Sequence, residues 1–159
     1  MAISATAKSK LSIGTTAAAT DATTFGADTY TSVANIEDLG EVGSEAEILV
    51  GKYVDQAYAR KLKGTRDNGT MTLVVARDPS DPGQTALRAA EKQELPFNFK
   101  VELNDKPTPT GTNTVFYFKA IVASAKTSMG GADDVVKDTY QVAITGAIIE
   151  VPAAEAVGP

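Results

Sequence analysis

Apolar and polar residues alternate with a period of two through most of the second half of the chain, and that period predicts β-strands. The clearest run is Gly69 to Arg77, where Met71, Leu73 and Val75 alternate with Thr70, Thr72 and Val74. Phe97 to Leu103 sets Phe97, Phe99, Val101 and Leu103 against Asn98, Lys100 and Glu102. Thr114 to Ser124 sets Phe116, Phe118, Ala120 and Val122 against Val115, Tyr117 and Ile121. In Asp138 to Val151, Tyr140, Val142, Ile144 and Ile148 face one way and Gln141, Ala143, Thr145 and Ala147 the other. Pro107, Pro109 and Gly111 mark residues 104–113 as a hairpin tip, and Thr127 to Asp134 is a Gly-rich acidic loop. Earlier in the chain, Tyr30 to Ile36 and Glu47 to Val54 predict two more strands, and Lys10 to Gly14 a short edge strand.

One stretch departs from this period. Asp81 is placed to cap a helix, Pro82 suits its first position, and Gln84 is placed to complete a capping box. Ala86, Leu87, Ala90 and Leu95 form a narrow apolar stripe, which Pro96 ends. Lys61 to Gly69 reads as a turn, with Asn68-Gly69 suited to the two positive φ angles of a tight hairpin. Asn68-Gly69-Thr70 also matches the N-glycosylation pattern, and the turn is the better reading because no secretory leader precedes it. Thr15 to Asp28, rich in Ala and Thr, reads as a long flexible connection, and residues 1–10 and 152–159 as flexible termini. Strands, one helix, then strands again predict a mainly β protein with one α-helix, a β-sandwich or open barrel. At about 150 residues per domain, residues 1–159 form one domain.

Composition removes whole classes of chemistry. With no Cys there is no disulfide, thiolate metal site or cysteine nucleophile, and with no His there is no Ser-His-Asp triad or zinc-hydrolase site. No cofactor is expected and the chain does not read as an enzyme. The net charge of −5 argues against gripping nucleic acid, which needs clustered Lys and Arg. No apolar run reaches the length of a membrane span.

Taken in order, five pieces of the chain resemble the major tail proteins, or tail tube proteins, of long-tailed bacteriophages of the siphophage type. They are Ser9-Lys10-Leu11-Ser12-Ile13-Gly14, then Tyr30 to Ile36 with its following acidic loop, then Lys63-Gly64-Thr65-Arg66-Asp67-Asn68-Gly69-Thr70 with its strand, then Asp78 to Leu87, and the closing Val142-Ala143-Ile144-Thr145-Gly146. Glu45 to Ala59 departs from that family, carrying Ile48-Leu49-Val50, Tyr53 and Tyr58 in place of a Thr/Asp-rich strand.

The resemblance implies a tail-tube fold in which each subunit gives an inner sheet to a barrel closed across six subunits. Hexameric rings then stack into the tube through which DNA is ejected. It implies tip, tape-measure and terminator proteins as partners. It also implies a location in the virion tail, with assembly in the bacterial host's cytoplasm. Tyr58, Arg60, Lys61, Lys63, Arg66 and Asp67 become the candidate loop between rings or subunits, and Glu102 a candidate lumen-facing group. Residues 15–29, 55–68 and 126–137 are expected to order only on assembly, and a chain lacking 56–67 to fold without forming tubes. The alternatives are another virion β-domain (a capsid decoration or adhesion module), a secretion-tube protein of related fold, or a small ligand-binding sandwich.

Overall fold

The computed structural model describes residues 3–155; Met1, Ala2 and 156–159, part of the ends expected to be flexible, lie outside them. Among the described residues are nine strands, β1 (Lys10–Ile13), β2 (Thr31–Ser32), β3 (Ile36–Asp38), β4 (Glu45–Gly51), β5 (Arg60–Asp67), β6 (Thr70–Ala76), β7 (Phe97–Glu102), β8 (Val115–Ser128) and β9 (Lys137–Val151). There are two helices, α1 (Ala22–Gly26) and α2 (Pro82–Glu91). Seven strands form one antiparallel sheet in the order β2-β1-β7-β8-β9-β6-β3, which curls into a half-barrel, while β4 and β5 form a separate two-stranded sheet. The open-barrel form of the expected fold is therefore the one found.

The curl has a local cause. The long central pair β8–β9 is interrupted twice. Ala123 is an extra residue in β8, and around Gly146 the register moves from Lys119↔Thr145 to Tyr117↔Ile149. Such bulges bend a strand and increase its twist. The two edges of the sheet are consequently joined by only residues 33–35, a span of roughly 10 Å. Asn35, at φ 59°, breaks the single strand expected over Tyr30 to Ile36 into β2 at one edge and β3 at the other.

The concave face holds the core, and the alternations read from the sequence assign it correctly. Met71, Leu73, Val75, Phe99, Phe118, Ala120, Tyr140 and Val142 are fully buried, with Leu11, Ile13 and Leu87 packed among them. Helix α2 covers this face near the gap between the edges. Asp81 caps it as expected, its Oδ2 accepting the Gln84 N–H at 3.0 Å and the Ala34 N–H at 3.1 Å. Gln84 does not close a capping box. Its buried side chain accepts the Asp78 N–H and donates to the carbonyls of Ala34 and Ala76, tying the helix start to both sides of the gap. At Gly83 a Cβ would strike the Ser32 carbonyl, so the close approach of α2 to β2 requires glycine. The helix ends at Glu91, and Leu95, expected on its apolar stripe, is 60% exposed beyond it. Asp81→Ala removes the one acceptor of both hydrogen bonds, and a loss of about 1–2 kcal/mol is expected in urea unfolding; an unchanged midpoint refutes the cap.

The connection expected to be flexible is pinned. Asp28 accepts from Thr15 N, Thr15 Oγ1 and Thr29 N, and from Asn98 Nδ2 at 2.8 Å. Burial raises the Asp28 pKa, but these hydrogen bonds outweigh it and hold the carboxyl below its usual range. Asn98, expected on the solvent side of β7, is buried under this arm and also donates to the Ala17 carbonyl. Within the arm, α1 is a second helix, capped by Asp21 and Thr24, and its Phe25 stacks on Tyr117 at 5.7 Å. At the chain ends, Lys10 is already in β1, and Ala154 bridges Thr112. Residues 126–128 and 137 lie in β8 and β9, so the loop expected over 126–137 is confined to 129–136.

Candidate functional site

The residues read as a mobile loop over 55–68 are mostly strand. Arg60, Lys61, Lys63, Arg66 and Asp67 lie on β5, whose partner β4 carries the apolar run, with Leu49 opposite Leu62, Ile48 opposite Lys63 and Val50 opposite Lys61. Tyr58 lies in the tip between the strands and is 87% exposed. The strand was hidden in the sequence because Arg60 to Asp67 is charged and Gly-containing, without alternation. Its order comes from pairing with β4.

The Asn68-Gly69 pair does not close a hairpin either. Only Gly69 has a positive φ, at 68°, and β5 and β6 are not neighbours in any sheet. The pair turns a corner from the small sheet into the large one. The corner is held against β9, where the Asn68 amide donates to the Gly146 carbonyl and Gly69 O accepts the Ile144 N–H at 3.0 Å.

The β4–β5 hairpin therefore stands on two connections, residues 39–44 and the 68–69 corner, and contributes no residue to the core. Leu49 (49%), Leu62 (69%), Ile48 and Val50 are exposed, as are Tyr53 and Val54 towards the tip. Because side chains alternate along a strand, Leu49 and Leu62 share one face while Ile48 and Val50 share the other. The hairpin is thus apolar on both faces and covered on neither. An isolated two-stranded ribbon is marginal in water, and a contiguous exposed apolar surface marks an interface. Its charge adds direction. Residues 45–67 hold five basic and four acidic side chains, slightly basic in a chain of net charge −5, and Glu37, Asp38 and Glu41 cluster just before the hairpin. At the hairpin's base lies a groove of about 600 Å³ lined in part by Val42, Phe116, Ile144, Ile148, Arg66 and Glu150.

Glu102 lies elsewhere, on β7, half-buried on the sheet face away from the core, and accepts a hydrogen bond from Asn113 at 3.0 Å. Burial, with the Glu102 charge second, raises the pKa of nearby Tyr117. Among the described residues no group of three acidic side chains is placed to hold a metal ion, and no helix is long and apolar enough to cross a membrane.

No family model and no curated protein matches the chain. Solved structures do. A chain of the 6-fold symmetrised baseplate of the anti-feeding prophage superposes with a TM-score of 0.72 at 10% identity, covering 96% of this chain and 98% of that one. A chain from the sheath/tube terminator of an extracellular contractile injection system, PVC, gives 0.68 at 11% identity, covering 95% and 98%. The SPP1 tail tube gives 0.60 at 16% identity, covering 89% of this chain and 75% of that one. At these identities the likeness is one of fold, and the curled β half-barrel described above is the tail-tube fold.

Proposed function

We propose that the protein is a structural, non-enzymatic subunit of a tail tube, and that residues 1–159 form its single tube domain. The observation that carries this reading is the β4–β5 hairpin, projecting from a tail-tube fold with apolar residues uncovered on both faces. Such a hairpin gains its missing cover when it lies between copies of the chain. Tyr58, Arg60, Lys61, Lys63, Arg66 and Asp67 then act on that shared surface, the basic ones against acidic residues of the next copy. The ring is hexameric in this reading, in keeping with the 6-fold symmetrised baseplate of the anti-feeding prophage. The hollow of the stacked rings is the conduit for DNA in a virion tail, assembled in a bacterial host with tip, tape-measure and terminator proteins. Glu102, on the sheet face away from the core, remains the candidate lumen group.

A second reading has an observation of its own. The two contractile-system chains match almost end to end, whereas only three-quarters of the SPP1 chain is matched. That agreement in size favours the inner tube of a contractile tail or injection system over a siphophage tube.

Electron microscopy of the concentrated protein tests both readings. Hollow tubes with six-fold end views are expected. Small separate particles, persisting after a tail-tip nucleus is added, refute the tube. Co-purification with a sheath protein from the same source distinguishes the contractile reading from the non-contractile one.

A further inference from the structure

The tube reading makes no use of the Asn68-Gly69 pair as chemistry. Asn68 is the only asparagine in the chain followed by glycine; Asn35, Asn98, Asn104 and Asn113 precede Ile, Phe, Asp and Thr. It is half-exposed at the corner between the hairpin and the main sheet, where water reaches it. Its side-chain amide donates to the Gly146 carbonyl. The Gly69 N–H points to Asp67, whose Oδ1 accepts it at 2.8 Å.

We propose that Asn68 is a site of spontaneous deamidation, and that its conversion releases the base of the hairpin from β9. The backbone nitrogen of Gly69 attacks Cγ of Asn68. The new N–Cγ bond forms as the Cγ–Nδ2 bond breaks, ammonia leaves, and a five-membered succinimide remains. Solvent water then opens the ring at one carbonyl or the other, giving aspartate or isoaspartate. One water is consumed and one ammonia released, with no oxidation or reduction.

The site favours the attack. Glycine brings no Cβ to crowd the attacking nitrogen. The proton that this nitrogen must lose is hydrogen-bonded to the Asp67 carboxylate, which is placed to take it. The other asparagines are poorer sites, because each is followed by a side chain and Asn98 is fully buried besides. The product cannot donate to Gly146. Its carboxylate would face a carbonyl oxygen, leaving acceptor against acceptor where a hydrogen bond had been. Isoaspartate also adds a carbon to the main chain at the corner. One of the hairpin's two connections is thereby loosened while the core is untouched.

The test uses purified full-length protein held at mildly alkaline pH and body temperature, followed by peptide mapping. The peptide containing Asn68 is expected to gain about one mass unit roughly tenfold faster than those containing Asn104 and Asn113, because only its attacking nitrogen belongs to glycine. Equal rates, or an intact Asn68 while the others react, overturn the proposal. For the second half, aged protein and Asn68→Asp are compared with fresh protein in limited trypsin digestion. Faster cleavage after Lys61 and Lys63 is expected, and unchanged cleavage overturns the release of the hairpin. Neither readout depends on tubes forming.

Discussion

Glutamate at both Leu49 and Leu62 is expected to leave the subunit folded and to raise sharply the concentration at which it stacks. The two residues face each other across β4 and β5, and neither belongs to the core. The unfolding free energy should therefore change by no more than about 1 kcal/mol, about 0.5 kcal/mol for each surface substitution. Assembly is different. Fully covering an exposed leucine side chain contributes about 1.5–3 kcal/mol; Leu49 is 49% and Leu62 69% exposed, so about 2–3.5 kcal/mol in all is lost per subunit. Putting carboxylates into the same contact adds a desolvation cost. At about 1.4 kcal/mol per factor of ten, the concentration needed for tubes should rise at least about twentyfold. Sedimentation and electron microscopy across a concentration series read this directly. Tubes at the wild-type threshold would mean that the hairpin is not the contact, whatever the fold. The paired substitution is a cleaner probe than deleting 56–67, because that deletion removes all of β5 and leaves β4 without its partner.

How far the sequence could be read depended on where each signal lay along the chain. Helix α2 was legible because Asp81 and Pro82 act on the very next residues, and its cap has the expected geometry. Strands β6 to β9 were legible because each buries one face, so the core writes its period of two into them. The arm over 15–29 was not legible. What holds it is Asn98, seventy positions from Asp28, and nothing near Thr15 or Asp28 announces that bond. Gln84 misled in the same way: its capping role is a local inference, but its bonds to the carbonyls of Ala34 and Ala76 come from the tertiary fold.

The candidate site was half legible. The segment was picked out through the family resemblance, and none of its residues joins the core. Its strand structure was missed because β5 is exposed on both faces and has no period to show. Ile48, Leu49 and Val50 were visible as an apolar run, but such a run reads equally well as a buried strand. Only the fold shows that they face water.

Replacing Asp138 by alanine is expected to destabilise the fold strongly. Its carboxylate is 3% exposed and joins four elements. Arg77, just past β6, approaches Oδ1 at 3.2 Å; Arg88 of α2 approaches Oδ2 at 3.6 Å; Thr127 of β8 donates to Oδ1 at 2.7 Å; and Tyr140 of β9 donates to Oδ2 at 3.4 Å. Arg88 Nη1 is buried and has no hydrogen bond of its own, so Asp138 is its counter-charge. Deleting one partner of a fully buried ion pair costs about 3–5 kcal/mol; Arg77 and Arg88 keep 36% and 26% of their side chains exposed, and solvent screening lowers the expected cost to about 2–4 kcal/mol. For a chain of this size that corresponds to a fall in melting temperature of roughly 10 °C. Asp138→Asn keeps an acceptor for Thr127 but not the charge, so it should fall between alanine and wild type. Hydrogen exchange locates the damage: the amides of α2, tethered through Arg88, should lose protection before those at the centre of β8 and β9. A melting temperature within a degree or two of wild type for the alanine variant would show that the core alone holds α2 in place, and that the buried charges only accompany the packing.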